Sequence, residues 1–383
     1  MKPLILNPPR VEFDSDLAWL LRAAFGTQNG GPPQDEERAL KLARSLQVSG
    51  RIGRQRELSR NTPARGRLRS ELSADYYANV AIESLLIRAQ SEIARHGERL
   101  GVRVIPLKFA GLRAARISAP GSRQVSDLDL LVPKSSARFF WSALVDAGYR
   151  RSKTREYAHQ LETLSDPNGA VIDLHVHIPG VFVQPRNFAT ADELIERALV
   201  APTPGAIDTP NHAILAAHAI AHGLLQNRST PQTHSPLRMI ADLMDLRRVE
   251  PTVLDLAKGH LASALATTCD TLERLCSALS DGGFISPGFD GSPEQKLLWH
   301  CVAARLDFNY SERLRAAGLA NKIRDGASLS ELASYVATLL YPGEPELEVL
   351  YGPAVGGAAR MRRRMLRPLD LVARAAQRWS RSR

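Results

Sequence analysis

Apolar residues recur at helical spacing through the first hundred positions. Asp16 to Phe25 and Gln34 to Leu46 predict short helices separated by Asn29-Gly-Gly-Pro-Pro33, and Glu71 to His96 predicts a long one ended near Gly97. Leu72, Tyr76, Val80, Leu86 and Ile93 carry the apolar stripe of the long helix. The period then changes. Val102 to Leu107 is a short β-branched run, Phe109 to Ile117 predicts a helix, Pro120-Gly-Ser-Arg123 a loop, and Ser126 to Val132 a strand. Ser135 to Ala147 follows as a helix closed by Gly148. From Ala170 to Ile178 apolar and polar residues alternate, with Ile172, Leu174, Val176 and Ile178 on one face and Asp173, His175 and His177 on the other. The Asp166-Pro-Asn-Gly169 turn before it predicts a hairpin whose partner strand runs from about Tyr157 to Leu164.

Beyond that hairpin no further strand is expected. Asp192 to about Leu340 reads as helical, with Asn211 as an N-cap, His218 and His222 one turn apart, and an amphipathic stretch from Leu237 to Arg248. Pro342-Gly-Glu-Pro345 ends the series. The order predicts an α+β fold, in which a small mixed sheet at 101–190 is flanked by an N-terminal helical region (1–100) and a C-terminal helical domain (191–350), with an Arg-rich tail at 351–383.

The polar positions inside this pattern carry the chemistry. Asp127 and Asp129 stand two residues apart on a strand and therefore leave the same face, while Leu128, Leu130 and Leu131 mark the strand as buried. Unpaired carboxylates there are costly, so a metal ion or a cation such as Arg113, Arg116 or Arg123 must neutralise them. Asp173, on the polar face of the second strand, is the candidate third acid.

Composition narrows the class. The chain has 383 residues, 44% hydrophobic and 23% charged, enough for a sizeable core. No apolar run approaches the ~20 residues that cross a bilayer, and the first nine residues are too short for a signal peptide, so a cytoplasmic location is expected. Three cysteines, Cys269, Cys276 and Cys301, lack metal-ligand spacing and read as free thiols. Residues 353 to 383 hold nine arginines and one aspartate, so +8 of the net +10 lies in the tail. A second basic cluster runs from Arg51 to Arg69 in a stretch that reads as a loop or short helix. No aromatic residues are interleaved with these arginines, so they read as a solvated tail and loop rather than a nucleic-acid site. Peripheral membrane contact by the tail is the competing reading, and packing of Met361, Met365, Leu366, Leu369, Val372 and Trp379 on the helical domain is the expected one.

Leu107-Lys-Phe-Ala-Gly-Leu112, then Arg123-Gln-Val-Ser-Asp-Leu-Asp-Leu-Leu-Val132, Gly148-Tyr149 and Ile172-Asp-Leu-His175 together resemble the uncharacterised nucleotidyltransferase family of the polymerase-β-like superfamily. Order and spacing agree over roughly 70 residues, and more weakly over His218, His222 and Leu237 to Asp242. The resemblance implies transfer of a nucleoside monophosphate from a nucleoside triphosphate, with ATP as the default, to a hydroxyl acceptor on a small molecule, peptide or protein. It implies two Mg²⁺ (or Mn²⁺) ions as cofactors, with Asp127, Asp129 and Asp173 as catalytic and metal-binding residues. Lys108, Arg123 and Ser126 become candidates for the triphosphate. One departure stands out: the family pattern has glycine directly after the lysine, where this chain has Phe109, and glycine comes only at Gly111. A bulky side chain at a phosphate cradle obstructs close backbone approach. Two alternatives follow: a catalytically degenerate fold that binds a nucleotide or partner, and a zinc-dependent hydrolase using His175 and His177, with His218 and His222 as further ligands.

Overall fold

The computed structural model describes residues 8–26, 31–58, 66–152, 159–184, 187–203, 207–225, 234–281 and 291–307, with isolated positions beyond. The chain opens with α1 (Ser15–Phe25), α2 (Glu36–Ser45), α3 (Ser49–Leu58) and α4 (Arg67–Leu100). Each of the first two starts where an aspartate caps it: Asp14 accepts from the amides of Asp16 and Leu17, and Asp35 from that of Arg38. The long helix does not end at Gly97. It runs on to Gly101, which takes the left-handed conformation at φ +68°. Gly97 is needed for another reason: a Cβ there would lie 2.6 Å from the Val102 carbonyl, so its absence lets the chain fold back tightly toward the sheet.

The central sheet has five strands, β1 (Ile105–Pro106), β2 (Asp127–Leu131), β3 (Arg150–Arg151), β4 (Leu164–Ser165) and β5 (Val171–His175), in the order β1-β2-β5-β4-β3. β2 and β5 are parallel, with Asp129 opposite Asp173, and the other pairs are antiparallel, so the sheet is mixed as expected. α5 (Lys108–Ala114) and α6 (Ala137–Asp146) connect its first strands. The Asp166 turn closes the β4–β5 hairpin, its carboxylate accepting from the amides of Asn168 and Ala170. The pairing continues to Gln160 opposite His175, while residues 153–158 lie outside the described set.

The strands do not stop there. β6 (Ile178–Gln184) pairs with β7 (Asn187–Ala189), and after α7 (Ala191–Glu196) β8 (Val200–Thr203) pairs with β9 (Ile207–Pro210). The expectation of an all-helical segment from Asp192 onward is therefore corrected. Pro202 and Pro210 break the sequence signal, yet proline is tolerated in a two-stranded ribbon where one edge is open. The helices that follow are α8 (His212–Leu224), capped by Asn211 as expected, α9 (Leu237–Val249), α10 (Val253–Lys258), α11 (Ser263–Ala266), α12 (Cys269–Ser280) and α13 (Pro293–Leu306).

Two hydrophobic cores meet at the sheet. Leu128, Leu130, Ile172 and Leu174 pack with α4 and α6 on one face. On the other, Leu131 joins a larger core that unites α1 to α3 with α8 to α13. By the period of two, Asp127, Asp129 and Asp173 belong to this second face, toward the helical halves.

Two side-chain expectations are corrected. Arg51, read as part of a solvated basic loop, is 4% exposed on α3 and makes a two-pronged pair with Asp245 of α9 at 2.8 and 2.9 Å. Arg67 and Arg69 are exposed at the start of α4, as a solvated cluster requires. Met361 and Met365, expected to pack on the helical domain, are 63% and 65% exposed, and the tail's other apolar residues lie outside the described set. The cysteines are free and buried. Among the described residues no helix is long and apolar enough to cross a membrane.

Candidate active site

Parallel pairing of β2 with β5 sets Asp129 beside Asp173, and the pleat returns Asp127 to the same face. One carboxylate oxygen from each of the three lies within 4.8 Å of the others. Each acid has a donor of its own. Ser126 Oγ donates to Asp127 at 2.8 Å, and Thr163 Oγ1 donates to Asp173 at 2.6 Å. Asp129 receives Lys108 Nζ at 2.6 Å and faces His175 Nε2 at 2.9 Å, both on the same oxygen.

The charges do not balance. Burial alone would raise the Asp129 carboxyl, but the Lys108 ammonium and His175 hold it well below the usual carboxylate range. Asp173 is pushed the other way, by burial and by the negative charges of Asp129 and Asp127, which its bond from Thr163 does not offset. Lys108, although burial opposes its charge, is held above its ordinary value by Asp129, Asp127 and Asp173. Among the described residues one ammonium thus faces three carboxylates. A divalent cation with a preference for oxygen ligands fits this donor set.

Lys108 reaches the acids because it opens α5 at φ +46°, a left-handed conformation rarely taken by a residue with a Cβ. The Leu107 amide bonded to the Asp129 carbonyl at 2.9 Å anchors this turn to β2. The same turn sends Phe109 away from the site: it is 2% exposed and belongs to the core beneath the opposite face. The expected obstruction by Phe109 is therefore not found. Gly111 serves packing, since a Cβ there would stand 2.7 Å from Leu215 Cδ2 and 2.8 Å from the Pro106 carbonyl.

The arginines considered as neutralisers of the acidic pair do other things. Arg113 donates to the Ser118 carbonyl, and Arg123 Nε lies 3.0 and 3.2 Å from the Asp242 carboxylate on α9. Arg123 still reaches the site's rim, as one wall of a cleft that Lys108 also lines. The loop carrying it is fastened to α4 by Asn79 Nδ2 on the Gly121 carbonyl at 3.2 Å.

The histidines fall into two chains rather than a metal site. His159 stacks on His175 and His177 on Phe188, with centroids 5.7 and 5.3 Å apart. His218, His222 and His234 form an edge-to-face series at 6.2 and 6.0 Å, and burial pushes all three imidazoles down, His218 and His234 to about 3. Among the described residues the acidic triad alone gathers three groups able to share a metal, which corrects the zinc reading of His175, His177, His218 and His222. Thr163, Asp242 and Arg238 had not been singled out from the sequence. Arg238 and Asp242 lie in the Leu237 to Asp242 stretch of the resemblance, and their four-residue spacing on an amphipathic helix sets them on one face, whereas nothing local marks Thr163.

The model of the uncharacterised nucleotidyltransferase family matches residues 32–279. No curated protein and no solved structure matches the chain.

Proposed function

The chain belongs to the uncharacterised nucleotidyltransferase family, and on that premise we propose that it transfers a nucleoside monophosphate from a nucleoside triphosphate, ATP by default, to a hydroxyl acceptor. The observation that carries this reading is the in-register convergence of Asp127, Asp129 and Asp173 on the sheet face toward the helical halves. These three residues would hold Mg²⁺ or Mn²⁺, which when bound offsets phosphate charge and polarises the reacting oxygens. Within this scheme Ser126 and Thr163 orient Asp127 and Asp173 by donating to one oxygen of each. Lys108 balances Asp129 before substrate arrives and stays within reach of the triphosphate afterwards. The acceptor oxygen forms a bond to the α-phosphorus, the bond to the α–β bridging oxygen breaks, pyrophosphate departs, and the acceptor's proton passes to the Asp173 carboxylate.

The test is incubation of the purified protein with each labelled nucleoside triphosphate, Mg²⁺ and a lysate of its host, after a check for self-labelling. Asp127→Asn combined with Asp173→Asn is the informative variant, because it spares the Lys108–Asp129 pair. Metal-dependent labelling by the wild type that this variant lacks supports the proposal. Equal labelling by both sinks it.

A further inference from the structure

Between α5 and the inner faces of α8 and α9 lies a narrow cleft, open to solvent and with about 20 Å³ of water-sized space, bordered by Lys108, Arg123, His222, Ser235, Arg238 and Asp242. Three cations face one carboxylate there, and that carboxylate is already engaged by Arg123. Arg238 is different. Its Nη1 lies 3.3 Å from Gln47 Oε1, a long bond to a neutral acceptor, and among the described residues no carboxylate comes within ion-pair distance of it. Burial, together with the like charge of Arg123, pushes this guanidinium down to about 9, against the pull of Asp242, Asp127 and Asp129. A half-buried cation in that state is stabilised by an arriving anion. The cleft that Arg238 lines is also lined by Lys108, whose ammonium bonds Asp129, so it opens beside the acidic triad. His222, held neutral by burial, and the Ser235 hydroxyl add uncharged polar groups to the walls.

We propose that this cleft is the seat of the nucleotide's outer phosphates and that Arg238 grips them with its guanidinium fork, Lys108 contacting the same chain from the side of the acids. The assignment rests on the nucleotidyltransferase reading and deepens it. A planar fork matches two phosphate oxygens at once, which an ammonium does not, so the residue sets preference for the number of phosphates rather than for the base.

Isothermal titration of the whole chain with ATP, ADP, AMP and inorganic phosphate, each with Mg²⁺, tests it. Wild-type affinity should fall in the order ATP, ADP, AMP. Arg238→Gln should weaken ATP by tenfold or more while leaving AMP nearly unchanged, so that the gradient collapses, and Arg238→Lys should recover part of it. A gradient as steep in Arg238→Gln as in the wild type overturns the assignment but leaves the transferase reading standing. Absence of Mg²⁺-dependent triphosphate binding by the wild type overturns both. Should Arg238→Gln fail to fold, phenylglyoxal modification of the wild type mapped by mass spectrometry decides: protection of Arg238 by ATP supports the assignment, and equal modification with and without ATP defeats it.

Discussion

Asp129→Asn and Asp173→Asn are near-isosteric, remove one negative charge each from the same cluster, and should move stability in opposite directions. Asp129 is 4% exposed and accepts Lys108 Nζ on the oxygen that also faces His175. Neutralising it strands a buried ammonium, and breaking such a pair costs about 3–5 kcal/mol. The lower end applies here, because Lys108 keeps the attraction of Asp127 and Asp173. Among the described residues Asp173 has no cation in contact, and Thr163 is its hydrogen-bond donor. With oxygens within 4.8 Å and an effective dielectric of about 20, its repulsion with each neighbouring acid is roughly 3.5 kcal/mol. Attraction to Lys108 offsets part of that, and Thr163 Oγ1 can donate to an amide oxygen as it does to the carboxylate, so the net change is a gain smaller than the summed repulsion. Urea unfolding in EDTA should therefore place Asp173→Asn at or above the wild type and Asp129→Asn well below it. Adding Mg²⁺ should reverse the first comparison: saturation at a hundredfold over Kd is worth about 2.7 kcal/mol to a protein with an intact site, and Asp173→Asn forfeits most of it. Equal destabilisation by the two variants without metal would refute the account of like-charge crowding. An identical Mg²⁺ increment in all three proteins would refute the metal site.

Arg51→Ala should lower unfolding free energy by about 3–5 kcal/mol through the loss of its paired bonds to Asp245 and its Nε bond to the Ala24 carbonyl, a result that urea titration reads directly. Phe109→Ala should cost about 3–5 kcal/mol in the same assay while leaving ATP affinity unchanged below the transition, since the ring lies in the core and not at the phosphates. Tighter ATP binding by this variant would show that the ring does obstruct the site. The cysteines should resist Ellman's reagent at pH 8 until the protein unfolds. Burial pushes the thiols of Cys269 and Cys276 up to about 11 and 12 and that of Cys301 higher still, so the reactive thiolate becomes abundant only well above that pH.

What the sequence disclosed follows from which interactions are local. Alternation along Val171 to His175 and the Asp166 turn were enough to set Asp173 on a polar face, and the two-residue spacing of Asp127 and Asp129 did the same for β2. Caps at Asn211 and the end of α6 at Gly148 are likewise short-range devices. Strands β8 and β9 were hidden because their stability comes from pairing with each other and from β9 lying against Val104, while their own residues include proline. Lys108 was recognisable by motif, but its grip on Asp129 depends on a left-handed φ that no residue type at that position announces. Arg51 looked like one member of a solvated arginine cluster because its partner Asp245 lies 194 positions away.

The amphipathic pattern of α9 was legible, but not the direction of its polar stripe. Arg238, Asp242 and Asp245 stand at successive turns of one helix face, and each meets a partner from a different part of the chain: Gln47 beside α3, Arg123 in the loop before β2, and Arg51 within α3. Buried ion pairs add little net stability compared with apolar residues of the same volume, so a stripe of them is better explained by what it positions. Here it fixes how the N-terminal helices, the sheet and the C-terminal helices close around the cleft beside Lys108. The three acids come from the sheet alone, whereas the cleft gains Arg238, and Arg123 its carboxylate partner, only when α9 is docked. Metal binding is thereby assigned to the sheet and part of phosphate binding to α9, 65 or more residues along the chain from any of the three acids, and the charge pairs along α9 are what hold them in register.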